Sequence, residues 1–293
     1  MPLPPFKPTN KPPTKQPSPQ RATDRPLRRG HLIAVLGAPG IGKTHLVSWF
    51  PKPYFAISRR ETGILDLVDH GIIKHINEDR IHPMFESADD LTRFNDEVIN
   101  RKCVLLPDDT QSIIYESVSG FEQLFMDKVC QTEFGGNWGN TAGGYQFYQK
   151  GDRIVGDQYW SKFLDQLTEI REMGYNVILT GHTTTKAVKN ARGVDYLKEV
   201  CRCTTSVWEQ TDYLVQNIFF LAFDVKAERE SKFARGKAVS ADRYLFCLTT
   251  PYNGAKNRYN IDDLIDANES SEATYKNFCA AAKLDPLTLR KKG

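Results

Sequence analysis

Eight residues in the first fifth of the chain, Gly37-Ala38-Pro39-Gly40-Ile41-Gly42-Lys43-Thr44, set glycines, a lysine and a hydroxyl at the spacing G-x-x-x-x-G-K-T. Glycines let main-chain N–H groups turn inward where a Cβ would block a close approach. At a helix start, whose first amides have no internal partner, such a bend cradles a polyphosphate. Lys43 would reach the outer phosphates and the Thr44 hydroxyl would ligate Mg2+, with His45 next on the same helix start. The chemistry implied is capture of a nucleoside triphosphate, with ATP and magnesium as the first expectation. The spacing can also arise as a plain Gly/Pro turn, so its context must decide.

A buried strand must precede such a loop and a helix must follow it. His31-Leu32-Ile33-Ala34-Val35-Leu36 is a continuous apolar run bounded by Gly30 and Gly37, as in a strand buried on both faces. Thr44 to Phe50 reads as a helix ended by Pro51, and Pro53 to Ser58 as a second strand. Arg80 to Phe85 fits a short third strand, and Ser87 caps a helix to about Asn100. Lys102-Cys103-Val104-Leu105-Leu106 reads as a buried strand, Ile113 to Val129 as a helix, and residues 131–153 as a Gly- and aromatic-rich loop. Asp157 to Met173 predicts a helix with Gly174 as its C-cap, followed by a strand from Asn176 to Thr180. Val215 to Phe223 and Tyr244 to Thr250 complete the sheet, with 224–243 either an ordered hairpin or a loop. Strands alternating with helices predict an α/β fold with a mostly parallel sheet.

Magnesium needs a second anchor, usually an acid at a strand tip. Pro107 would end the expected 102–106 strand, which places Asp108 and Asp109 as the candidates. Asp109 is favoured by the small hydroxyls around it, and a solvated Asp-Asp turn is the alternative.

The bulk numbers suit a chain with a sizeable core: 293 residues, 40% hydrophobic and 26% charged. Net charge is only +3, yet residues 1–30 hold seven Lys/Arg against one acid. Residues 1–29 also hold nine of the sixteen prolines and almost no large apolar side chain, which predicts a disordered basic tail. No apolar run approaches a bilayer span and no signal-like leader is visible, so a cytoplasmic protein is expected. Six irregularly spaced cysteines read as reduced thiols, and Cys201 and Cys203 sit too close for the usual zinc pair.

With these motifs in order, residues 30–265 resemble the RecA-like P-loop ATPases. More specifically, they resemble the small phage and bacterial ATP-binding proteins associated with recombination, an AAA-type domain family. Residues 266–293 would then be a C-terminal helix and basic tail. The resemblance implies roles for matching residues. Glu61, in Phe55-Ala56-Ile57-Ser58-Arg59-Arg60-Glu61-Thr62-Gly63, would orient and deprotonate the attacking water; a surface acid paired with a neighbouring arginine is the alternative. His182, ending Val177-Ile178-Leu179-Thr180-Gly181-His182, would sense the γ-phosphate. Ala255-Lys256-Asn257-Arg258 is similar to an element whose Lys256 and Arg258 would reach a neighbouring subunit's γ-phosphate, implying a homo-oligomeric ring or filament; an unpartnered basic turn is the alternative.

Segments 131–153 and 183–204 correspond to the places where such proteins contact single-stranded DNA; solvated loops or subunit-contact loops are the alternatives. The first carries Phe134, Trp138, Tyr145, Phe147, Tyr148, Lys150 and Arg153. The second carries Lys186, Lys189, Arg192, Lys198 and Arg202. The expectation is an ATPase acting on single-stranded DNA in recombination or replication. The competing reading is a nucleotide-gated binding protein with little turnover that recruits partners.

Overall fold

The computed structural model describes residues 29–189, 193–228, 237–261 and 264–291. The basic tail expected over 1–29 lies outside them except for Arg29, as do Arg192 and the tip of the 224–243 segment.

The anticipated strand at Leu32–Gly37 is β1, buried at every position. It is covered on both sides, which is why its sequence is apolar throughout rather than alternating. Leu32, Ala34 and Leu36 enter one core while Ile33 and Val35 enter the other. Among the described residues eight strands form the sheet: β1, β2 (Pro53–Ile57), β3 (Ser112–Glu116), β4 (Asn176–Val188), β5 (Tyr196–Cys201), β6 (Asn217–Glu228), β7 (Lys237–Phe246) and β8 (Ile265–Asp266). Their order is β2-β3-β4-β1-β6-β7-β8, with β5 hung on the far end of β4. The run β2-β3-β4-β1-β6 is parallel, whereas β5, β7 and β8 pair antiparallel. The fold is α/β with a mostly parallel central sheet flanked by helices.

On one face lie α3 (Ala88–Ile99), α4 (Val118–Phe134) and α6 (Ser161–Glu172), which supply Phe94, Phe121, Phe163 and Leu167 to a core shared with Leu32 and Tyr115. Side chains of this kind contribute ~1.5–3 kcal/mol each on full burial. α3 begins where Ser87 predicts, the serine hydroxyl accepting from the Asp90 amide at 3.2 Å. The opposite face carries α1 (Lys43–Val47), α2 (Gly63–Asp69) and α8 (Ser271–Ala281). α8 is part of the same body: Phe50 packs on Tyr275 and Phe278 with ring centroids 5.0 and 6.3 Å apart. Gly174 takes the left-handed φ of 105° expected of a C-cap. Among the described residues no helix is long and apolar enough to cross a membrane.

Several expected elements fall elsewhere. Lys102–Leu106 is not a strand but a string of turns after α3, with Val104 93% exposed. The strand is Ser112–Glu116, inside the segment read as helical from Ile113. A run of three apolar residues has no periodicity to separate strand from helix, and Ile113-Ile114-Tyr115 carries the β-favouring bulk that settles it. Arg80–Phe85 makes only isolated parallel bridges, Ile81 to Phe55 and Phe85 to Ser58. Segment 131–153 is partly helical, holding the end of α4 and α5 (Lys150–Ile154). A wider turn over Val155–Trp160 carries α5 on into α6, so the helix expected from Asp157 has helical backbone upstream of it. Segment 183–204 is chiefly the β4–β5 hairpin, and 224–243 extends β6 and β7 into a second hairpin.

Candidate functional site

Parallel strands bring their C-terminal ends to one edge, where β1 delivers the glycine-rich bend. Gly42 adopts φ 102°, a left-handed value that a side chain rarely tolerates. Gly37 is required for another reason: a Cβ there would lie 2.4 Å from the Leu221 carbonyl oxygen on β6. Among the described residues, the amides of Gly40, Gly42, Lys43 and Thr44 have no protein acceptor, so they stay available to an anion. The bend opens on a cleft of about 340 Å3 lined by Lys43, Thr44, Glu61, Glu116, Ser117, Thr180 and His182, with Asp66 at its margin.

Lys43 is 6% exposed, not standing free at an exposed helix start. Its Nζ donates to the carbonyls of Gly37 at 3.0 Å and Ala38 at 2.9 Å, and lies 3.3 Å from His182 Nδ1. Burial lowers its pKa below the usual lysine value, opposed by the carboxylates of Glu116 and Glu61. β4 places His182 beside Gly37 in register, so the histidine faces the bend as expected from its place at a strand end. Its other nitrogen, Nε2, is 3.4 Å from Glu61 Oε1. With Nδ1 accepting from Lys43, the imidazole proton belongs on Nε2, facing Glu61.

Glu61 follows β2 and is further held by the Ser117 hydroxyl, which donates to Oε1 at 2.5 Å. Burial pushes its carboxyl pKa up, but hydrogen bonds from His182 and Ser117 and the nearby Lys43 charge outweigh this and lower it overall. The Arg neighbours do not pair with it: Arg59 instead bonds Asp127 on α4. Lys43, His182, Glu61 and Ser117 thus form one continuous chain of polar contacts.

The strand-tip acid is Glu116, not Asp108 or Asp109. Glu116 ends β3, is 5% exposed, and accepts a hydrogen bond from the Thr44 hydroxyl. Its second oxygen, Oε2, is buried without a hydrogen-bond partner, and desolvation pushes its pKa up to about 7. Asp108 and Asp109 precede β3 and so lie at the opposite edge of the sheet, one strand length of about 16 Å away. There Asp109 is exposed and bonded to Arg80, with Lys52 at 3.4 Å. The misplacement follows from the strand itself: once β3 is 112–116, the acid at its start faces away from the loop. The signal for Glu116 was an acid closing an apolar β-branched run, Ile113-Ile114-Tyr115-Glu116, with Ser117 behind it. Thr180, also unanticipated, presents a buried and unpartnered hydroxyl to the same cleft.

Lys256 and Arg258 lie elsewhere. Lys256 bridges to Ile218 near the start of β6 and sits 3.3 Å from Asp212, while the Arg258 amide donates to Asn217. Asn217 pairs with Ile33 early in β1, so both basic residues occupy the edge opposite their own loop. The aromatics of 131–153 are also divided. Tyr145 is 1% exposed, packed edge-on against Phe134 and tilted against Trp138, whereas Tyr148 is 79% exposed.

A strand, a glycine-rich bend bearing Lys-Thr, and an acid that ends the next-but-one parallel strand and bonds that threonine together define a P-loop nucleoside triphosphatase. The chain belongs to an AAA domain family, whose model matches residues 29–259, so it is an AAA-type P-loop ATPase domain that binds nucleotide. A search of curated proteins finds no match.

Proposed function

We propose that this chain is a magnesium-dependent ATPase whose turnover is coupled to single-stranded DNA. The observation that carries the ATPase reading is the convergence of Lys43, Thr44, Glu61, Glu116 and His182 on one cleft beside free loop amides. A hard cation suits the oxygen set there, since Glu116 Oε2 is buried without a partner and its Oε1 already meets the Thr44 hydroxyl. Thr44 and Glu116 would hold Mg2+, which supplies charge neutralisation on the phosphate oxygens. The loop amides seat the triphosphate, and Lys43 exchanges its two carbonyl acceptors for phosphate oxygens. Glu61, kept ionised by its donors, orients a water and takes its proton as the water oxygen bonds to the γ-phosphorus. The bond to the β–γ bridging oxygen breaks, leaving ADP and phosphate. His182 spans Lys43 and Glu61 and so registers whether a γ-phosphate is present.

The β4–β5 hairpin supports the DNA reading. Lys186 and Lys198 stand directly opposite each other, a like-charge pair that is unfavourable until an anion bridges it. Lys189 and Arg202 extend the basic character, and exposed Tyr148 offers a ring for a base. Single-stranded DNA is expected to raise ATP turnover at low salt, with the stimulation falling steeply as salt rises. Turnover unchanged by DNA, and no DNA binding at low salt, would sink this reading.

A second reading, a nucleotide-gated switch with slow turnover, is favoured by one observation. Among the described residues the cleft has no arginine, and Lys256 and Arg258 could reach a γ-phosphate only in another copy. Glu61→Gln separates the two: a turnover enzyme loses roughly 100-fold or more in kcat at unchanged ATP affinity. If kcat is already negligible and does not move, the switch reading stands instead.

A further inference from the structure

The acid, the base and the sensing histidine all come from β2, β3 and β4, on one side of β1 in the sheet. A triphosphate whose terminal phosphate faces them runs across the bend, and its nucleoside end emerges on the other side, over β6 and β7. Two side chains wait there. Phe223 on β6 and Arg243 on β7 are direct cross-strand partners. They lie two positions beyond Leu221 and Leu245, which are buried in the core shared with Ile41 and Leu46. Side chains two apart along a strand share a face, so Phe223 and Arg243 project on the loop's side of the sheet, past the end of β1.

Arg243 is built into the bend. Its Nη1 donates to the Ile41 carbonyl at 3.1 Å and its Nε to the Ala267 carbonyl at 2.7 Å. A Cβ on Gly42 would come within 3.1 Å of Nη1, so the guanidinium flanks the loop itself. Phe223 is 53% exposed beside it, a large ring left in solvent next to an arginine. His45, on the same side, has its pKa lowered chiefly by burial, with a further lowering from the nearby His75 and Arg243.

We infer that Arg243 and Phe223 form the subsite for the nucleoside end of the triphosphate, the guanidinium facing the phosphate nearest the ribose and the ring stacking on the base. The inference rests on the triphosphate reading of the loop and extends it to residues from the β6–β7 hairpin. Stacking needs only a π-face, so several bases can be accepted. Arg243 also ties the loop to Ala267, and its amide donates to the Asn268 side-chain oxygen at 2.8 Å, which anchors β7 to the link into the C-terminal helix.

The test compares binding of Mg-ATP with binding of inorganic tripolyphosphate, which lacks the nucleoside. Phe223→Ala is expected to weaken ATP about tenfold, the scale of one stacked ring, and to leave tripolyphosphate unchanged. Phe223→Trp should restore ATP binding. Arg243→Gln should weaken both ligands, with Arg243→Lys recovering only part because the forked geometry is lost. Equal losses for the two ligands in Phe223→Ala, or no loss in either variant, would overturn the subsite. Wild-type protein that binds neither ligand would instead overturn the triphosphate reading. Phe223 is half in solvent, so its variants are expected to melt with the wild type, and a parallel melt keeps misfolding from being read as lost binding.

Discussion

Lys43→Ala is expected to lower triphosphate affinity roughly 100-fold or more, because it removes the ammonium that forms charge-assisted hydrogen bonds to phosphate oxygens. The fold should survive even though the side chain is buried. Lys43 sits in a polar cleft and donates to two carbonyls of the bend. Those acceptors can take water once the chain is shortened, which limits the stability change to about 1 kcal/mol. The burial that lowers the lysine's pKa also shows that keeping the charge there is costly without a ligand. The readout is a pair of thermal melts. Nucleotide at 100 times its Kd stabilises the wild type by about 2.7 kcal/mol, and the variant should show no such rise. A variant that unfolds outright would mean that Lys43 is structural and that the bend is not a free anion cradle.

The second large effect concerns Glu116, where function and stability oppose each other. Glu116→Gln is expected to cut turnover by about 100-fold or more, since the oxygen pair shared with Thr44 loses its charge. The same change should stabilise the ligand-free protein at neutral and alkaline pH. In the folded chain the carboxyl titrates at about 7, against an ordinary value of 4.5. A carboxyl raised in this way favours the folded state while protonated. Its stability contribution is therefore lost as pH rises from about 4.5 to about 7, and no further change follows above that. At about 1.4 kcal/mol per pH unit the loss is at most about 3.5 kcal/mol. Glutamine carries no such charge, so the stability gap between variant and wild type should widen between pH 5 and pH 8. Denaturant melts at four pH values would show it. Parallel pH profiles for the two proteins would remove Glu116 from its buried, unpartnered position.

The features readable before any coordinates were those carried by contiguous residues. The bend from Gly37 to Thr44 needs only its own glycines, lysine and hydroxyl, so its role followed from eight neighbours in the chain. β1 announced itself because a strand covered on both faces must be apolar throughout. His182 was found because it closes such a strand, and strand ends in a parallel sheet share one edge. Glu61 was found through the resemblance, and its contacts with Ser117 and His182 place it in the cleft rather than on the surface.

Tertiary structure decided the rest, wherever a short apolar run or a remote pairing was involved. Two apolar runs lie between Lys102 and Glu116, both too short for periodicity to tell strand from helix. Reading the first as the strand and the second as helix put Asp108 and Asp109, rather than Glu116, at the strand end that meets the loop. The burial of Tyr145 depended on ring partners Phe134 and Trp138 meeting across a fold of the chain. Arg243 lies 202 residues from its Ile41 acceptor, and only an antiparallel hairpin brings the two together. Local sequence determined the shape of the glycine-rich bend, because backbone geometry there is a property of adjacent residues. Which acid and which arginine face that loop was set by strand direction and register, which only the assembled sheet defines.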